Sequence, residues 1–238
     1  MDGTTSHPLP ELPSLGPDVY LLEATDRRGP LHALVVDHLS IEGGIGYWID
    51  AHGHATTHPL ADLAPSDRIL DRIEVARGFT PQQHYAITET LAGRDDLEPG
   101  VVVAPALDGL YRDDALRDGE RTAMLVRAIA KLAGIARRHG CPVLLTRARE
   151  DDFSEPIASA AGRTIRCEST PMGPRFVGDG FETLVYPVAP GWVQTTLAFW
   201  ERVLAARAPA YRAAREAGPS ARSNAPSALP EVTARGSN

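Results

Sequence analysis

The sequence predicts an α/β fold: a doubly wound, mostly parallel sheet with helices on both faces and antiparallel strands at its C-terminal edge. Strand-like apolar runs alternate with segments of helical period, the pattern of successive parallel βα units. Several runs, such as "GVVVAPAL", are apolar without alternation, as strands covered on both faces are. The last strand-like runs follow one another with no helix between them, which predicts hairpins rather than crossovers.

The elements follow in order. "VYLLEA" (19–24) is a short apolar strand, and "PLHALVVDHLS" (30–40) a helix with Leu31, Leu34, Val35 and His38 at helical spacing and Pro30 in its first turn. "GYWIDA" (46–51) is a second strand, "LADLAP" a helical turn, and "DRIEVARG" (71–78) a third strand. "PQQHYAITETLAG" (81–93) is a helix ended by Gly93, and "GVVVAPAL" (100–107) a buried strand. The longest amphipathic helix is "GERTAMLVRAIAKLAGIARRHG" (119–140), closed by Gly140, with Arg137, Arg138 and His139 answering its dipole. "PVLLTRA" (142–148), "RTIRCEST" (163–170), "PRFVGD" (174–179) and "ETLVYPV" (182–188) complete the sheet, and "TTLAFWERVLAAR" (195–207) is a final helix. Residues 1–17 are Pro-rich and read as a flexible arm, 18–208 as one folded unit, and 209–238, rich in Ala, Arg, Pro and Ser, as a disordered tail.

With 238 residues the chain can bury one core of ordinary size. The start has no apolar leader segment and no run reaches transmembrane length, so an intracellular, cytoplasmic protein without membrane contact is expected. Cys141 and Cys167 stand far apart and read as buried reduced thiols. The net charge of −7 gives no general attraction to nucleic acid. Trp48, Trp192 and Trp200 read as core or interface aromatics.

"YLLEATDRRGPLHALVVDHLS" (20–40) has the strand–loop–helix frame of a phosphate-binding P-loop, G-x-x-x-x-G-K-[ST], in which backbone N–H groups hold phosphate, lysine reaches the outer phosphates and the hydroxyl binds Mg²⁺. Aligned on Ala24–Leu31, only Gly29 fits. Pro30 stands where lysine belongs and Leu31 where the hydroxyl belongs.

From about residue 19 to 188 the chain resembles the core ATPase domain of the RecA/RadA recombinase family. "RIEVARGFTPQQHYAITETL" is similar to the family's I-x-V-A-R-[AG]-[FY] strand with its following loop and helix. "GYWIDAHG" resembles the strand ending I-D-[TA]-E, with His52 in place of the catalytic glutamate. "GVVVAPALDGLY" occupies the Walker B strand, with Pro105 where the aspartate should stand; Asp108 falls in the loop, off the metal position. The strand ending T-N-Q is matched by "PVLLTRA", with Arg147 and Ala148 replacing Asn and the γ-phosphate-sensing Gln.

The resemblance therefore implies a RecA-like, P-loop-NTPase-type fold with lost ATPase activity, and no cofactor. Arg27, Arg28 and Gly29 remain as a vestigial phosphate loop. In the family two loops touch single-stranded DNA; here they would be "DGLYRDDALRDGE" and "REDDFSEPIASAAGR", whose acids argue against direct DNA binding. The implied role is that of a non-catalytic paralogue serving DNA recombination or repair through a protein partner, such as an active recombinase. The family assembles through edge strands and an N-terminal segment.

Two alternatives remain at this level. "DAHGHATTHP" (50–59) groups Asp50, His52, His54 and His58 at a spacing that suits zinc, and would make the chain a metal-dependent hydrolase. A nucleotide sensor without turnover would need only Gly29 and the helix N-terminus.

Overall fold

The computed structural model describes residues 11–24, 29–51, 53, 55, 57–170, 173–179, 181–184 and 197–218. Its strands are β1 (Val19–Ala24), β2 (Ile45–Ala51), β3 (Ile73–Gly78), β4 (Pro99–Ala104), β5 (Val143–Leu145), β6 (Arg163–Thr170), β7 (Gly173–Gly178) and β8 (Phe181–Leu184). They form one sheet in the order β3-β2-β4-β5-β1-β6-β7-β8. Pairing is parallel from β3 through β6 and antiparallel between β6 and β7 and between β7 and β8. The α/β class, the mostly parallel sheet and the antiparallel strands at its C-terminal edge are as the sequence predicts.

The order of the strands decides where the helices go. The connections out of β1 and β2 step one way along the sheet, and those out of β3, β4 and β5 step the other way. Parallel crossovers share one hand, so the reversal sends the two sets of helices to opposite faces. On one face lie α1 (Gly29–Glu42), α2 (Thr57–Leu63), α3 (Asp67–Leu70), α7 (Leu197–Ala206) and α8 (Ala208–Ala217), packed around Leu34, Trp48, Val101 and Trp200. On the other lie α4 (Pro81–Ala92), α5 (Asp118–His139) and α6 (Glu155–Ala160), packed around Ile49, Val102, Leu132 and Leu145.

Local chemistry sets the helix ends. Thr80 accepts a hydrogen bond from the Gln83 N–H at 3.2 Å, while the Gln83 side chain accepts from the Phe79 N–H at 3.0 Å. Thr80 is thus the N-cap, and Gln83 reaches back past it, ahead of Pro81 in the first turn of α4. α5 carries Asp118 and Glu120 in its first turn and Arg137, Arg138 and His139 in its last, and it ends on Gly140 in the left-handed conformation, φ 60°.

Several elements depart from the sequence reading. β4 stops at Ala104, because Pro105 has no N–H for the ladder and Ala106 turns to φ 47°. The acidic stretch read as a loop contains α6. Residues 209–217, read as the start of the tail, belong to α8 (Ala208–Ala217). At the other end, Leu12 and Leu15 of the expected arm are buried in the core beside α1. The remainder of the arm, 1–10, and of the tail, 219–238, lie outside the described residues.

α8 covers α1, and this changes what α1 is. From Gly29 to Leu39 every residue of α1 is buried, so the helix is enclosed all round rather than amphipathic. Its polar side chains must then find partners inside. Asp37 accepts two hydrogen bonds from Arg207, at 2.5 and 3.0 Å, and a third from the Tyr211 hydroxyl at 2.8 Å. Burial works against the Arg207 cation, but the bonds and field of Asp37 more than offset it and hold its pKa above the ordinary value. His38 Nε2 lies 2.9 Å from the Gly100 carbonyl, and because a carbonyl only accepts, that nitrogen carries the hydrogen.

Replacing Asp37 by Ala leaves a buried guanidinium without its carboxylate. We expect a loss of about 3–5 kcal/mol in urea unfolding, on the scale of a broken buried ion pair. For His38, burial lowers the pKa below the ordinary 6.5, against weaker opposing contributions from the Gly100 carbonyl, Glu42 and Asp37. The unfolded chain therefore binds the proton first. The stabilisation from neutral His38 is complete above pH 6.5 and is lost as the pH falls from there through the folded-state value. Melting temperatures followed downward from neutral pH should fall more steeply for the wild type than for His38→Gln, whose amide can still donate to Gly100.

Candidate functional site

In open α/β sheets, ligands bind beyond the carboxyl ends of strands whose connections leave to opposite faces. Here β1 leads to α1 on one face while its neighbour β5 leads to α6 on the other. At that place a cleft of about 310 Å³ opens beyond β1, β5 and β6.

The first turn of α1 borders this end of the sheet. Gly29, Pro30 and Leu31 are all buried, Leu31 to 1% exposure. The positive end of the helix therefore presents a ring nitrogen without hydrogen and an apolar side chain, with neither an ammonium nor a hydroxyl. Arg27 and Arg28 lie outside the described residues.

The segments that follow β4 and β5 are bound to each other. The Ala106 N–H donates to Thr146 Oγ1 at 2.8 Å and the Leu107 N–H to the Thr146 carbonyl at 3.0 Å. Asp108 is fully buried and accepts from the Ala148 N–H and from Arg112 Nε, each at 2.5 Å. The same guanidinium donates through both terminal nitrogens to Asp151, at 2.8 and 2.7 Å, and its carbon lies 4.9 Å from the centre of the Phe153 ring. Arg112 thus clamps the two segments through two carboxylates and an aromatic face. Its hydrogen bonds hold the Asp151 carboxyl down at about 2.

Arg147 is nearly buried and pairs with Glu23 at the end of β1 and, at 3.2 Å, with Glu150. Arg166 Nε donates to the other Glu23 oxygen at 3.0 Å. The cleft lining holds Arg147, Arg149 and Arg166 against Glu23, Glu150 and Glu168. Three cations facing three acids give no net attraction for a polyphosphate.

The alternative constellation is only partly in view. Asp50 is fully buried; it accepts from Arg77 Nε at 2.7 Å and from the Ala55 N–H at 3.0 Å, while Arg77 also donates to the Ala55 carbonyl at 2.9 Å. That bonding closes the loop between β2 and α2. His52 and His54 lie outside the described residues, as does the side chain of His58 in α2. Among the described residues no group of three or more His, Cys, Asp or Glu could hold a metal ion. Cys141 and Cys167 are buried thiols outside any disulfide, and burial pushes the Cys141 thiol up to about 11, the opposite of an activated nucleophile. Trp48 and Trp200 are core residues; Trp192 lies outside the described residues. No helix among the described residues is long and apolar enough to cross a membrane.

A second feature is the open edge of the sheet. β3 pairs only with β2 among the described strands, and Val75 on it and Phe79 just beyond it are 45% and 73% exposed. Beside them a cleft of about 360 Å³ runs between β2, β3 and α4, lined by Tyr47, Val75, Ile87 and Leu91 among others. Sequence reasoning missed the Arg112 clamp and this exposed edge. Half of the clamp was visible in the four-residue spacing of Asp108 and Arg112; its partner Asp151 lies 39 residues further on.

No protein-family model and no curated protein sequence matches the chain.

The clamp is open to a direct check. In Arg112→Ala, the Asp151 carboxyl should titrate close to its ordinary 3.8 instead of about 2, as read by carboxyl-carbon NMR. The same variant strands the buried Asp108, so a stability loss of about 3–5 kcal/mol should accompany the shift.

Proposed function

We propose that the chain is a non-catalytic RecA/RadA-like protein that serves DNA recombination or repair through protein–protein contacts. The observation that carries this reading is the first turn of α1. A nucleotide-hydrolysing member of that family needs a lysine and a hydroxyl there, and this chain has a buried Pro30 and Leu31. The Arg112 clamp and the balanced charges around Arg147 support the same reading, since both use side chains inside the molecule that a nucleotide or a DNA strand would otherwise meet. The parallel sheet with antiparallel strands at its C-terminal edge agrees with the fold the resemblance implies.

The edge of β3 is the surface we assign to the partner. An open strand offers unpaired backbone groups for strand addition, and the adjoining apolar cleft can take a side chain between alternate backbone contacts. The partner we infer is an active recombinase of the same family.

Calorimetric titration with Mg·ATP and an ATPase assay test the first half. No binding heat and no turnover are expected; saturable binding without turnover would replace this reading by a nucleotide sensor, and turnover would end it. Co-sedimentation with a purified RecA/RadA-type recombinase from the same source tests the second half. Association should be lost in Val75→Arg and Phe79→Glu, both at exposed positions where the fold tolerates charge.

A further inference from the structure

α1 runs back against the strands, so its last turn lies at the end of the sheet where β2 and β3 begin, away from the cleft beyond β1. There a larger cleft, about 690 Å³, opens between α1, the α2–α3 connection and α8. Its lining is more apolar than polar, with Leu39, Ile41, Pro65 and Ile69 contributing. Around it stand Arg68, Arg72 and Arg215, against a single acid, Asp67, in the lining. Arg72 is held in place by donating to the Leu39 carbonyl at 2.7 Å. Arg68 and Arg215 are exposed, and neither guanidinium bonds or pairs with another described residue.

This combination is out of keeping with the rest of the molecule. In the other clefts Arg147, Arg166 and Arg94 are each met by a carboxylate, and the whole chain carries a net charge of −7. Two unmatched guanidinium groups beside an apolar floor are complementary to a ligand with carboxylates flanking an apolar side chain. We propose that this cleft docks an acidic peptide segment of a partner protein. An apolar side chain enters against Ile41, Pro65 and Ile69, and carboxylates on either side pair with Arg68 and Arg215. A nucleic acid is the poorer match. Its phosphates would bring a long run of negative charge against an acidic molecule, and they would leave the apolar floor unused. The proposal is independent of the recombinase reading, because the β3 edge cleft lies on the α4 side of the sheet and this one on the α1 side.

The test is fluorescence anisotropy of the full chain with a fluorescein-labelled peptide of repeating Glu-Glu-Leu-Leu, and with a labelled oligothymidylate of equal length. The peptide should bind saturably, and the double variant Arg68→Glu/Arg215→Glu should weaken it by about a hundredfold, near tenfold for each lost charged pair. A peptide with serine in place of leucine should bind more weakly than the parent, and the melting temperature of the variant should match the wild type. The proposal is overturned if the peptide does not bind, or if the double charge reversal leaves its affinity unchanged. It is also overturned if oligothymidylate binds more tightly than the peptide and is the ligand lost in the variant, which would make the cleft a nucleic-acid surface.

Discussion

The two halves of the sheet are joined through Val143, Leu144 and Leu145, which are the whole of β5 and pair with β4 on one side and β1 on the other. All three are fully buried, so each backbone group there must be bonded within the protein; one left unmade would cost about 1–3 kcal/mol. So short a strand meets this demand only by drawing in its flanks. The Val143 N–H donates to Asp18, the Val102 N–H to Pro142, and the Leu107 N–H to Thr146, at 2.9 to 3.0 Å. The bonding therefore runs past the end of the strand into the turn after β4, where the Thr146 hydroxyl takes the N–H of Ala106.

That extension determines what the carboxyl end of the sheet can be. Once the turn after β4 is bonded to the segment after β5, Asp108 is carried inward to full burial and needs both an N–H and a cation. Ala148 and Arg112 supply them. A buried ion pair is worth little net, because desolvation consumes most of its Coulombic gain, but removing one member is expensive. Such pairs act as pins that hold geometry. Asp37 with Arg207 and Tyr211 is the second pin, on the other face, and it fastens α8 over α1. Both fix segments that the local sequence would leave free.

The same distinction separates what the sequence reveals from what it hides. β1 and β2 were legible because burial on both faces leaves an apolar run, whereas β3 and β6, each with exposed positions, showed themselves by apolar residues alternating with polar ones between turn residues. β4 overshot because Leu107 is apolar for the core rather than for the ladder, and its neighbour Pro105 cannot extend the ladder. α8 was hidden because "APAYRAAREA" has the composition of a tail, and the bond that ties it to the fold, from Tyr211 to Asp37, spans 174 residues. In the candidate site, the absence of a lysine and a hydroxyl at Pro30 and Leu31 was plain in the sequence. The pairings that engage Asp50, Arg147 and Arg112 were not, because each joins residues far apart in the chain.

The first turn of α1 shows why the fold can persist while that chemistry is absent. Holding a phosphate requires free N–H groups, a cation and access for water-borne ligand; packing a buried helix requires apolar side chains and no unsatisfied donors. The turn cannot do both. Burying Leu31 contributes about 1.5–3 kcal/mol, and Pro30 removes a donor that would otherwise need a partner in an enclosed site. A lysine at position 30 would have to seat an ammonium in a turn that is now buried, at a cost of several kcal/mol unless it is paired. The stability of α1 rests on its enclosure by the sheet, α7 and α8. On the proposed reading, the packing that accompanies the loss of catalysis also opposes its return by any single substitution.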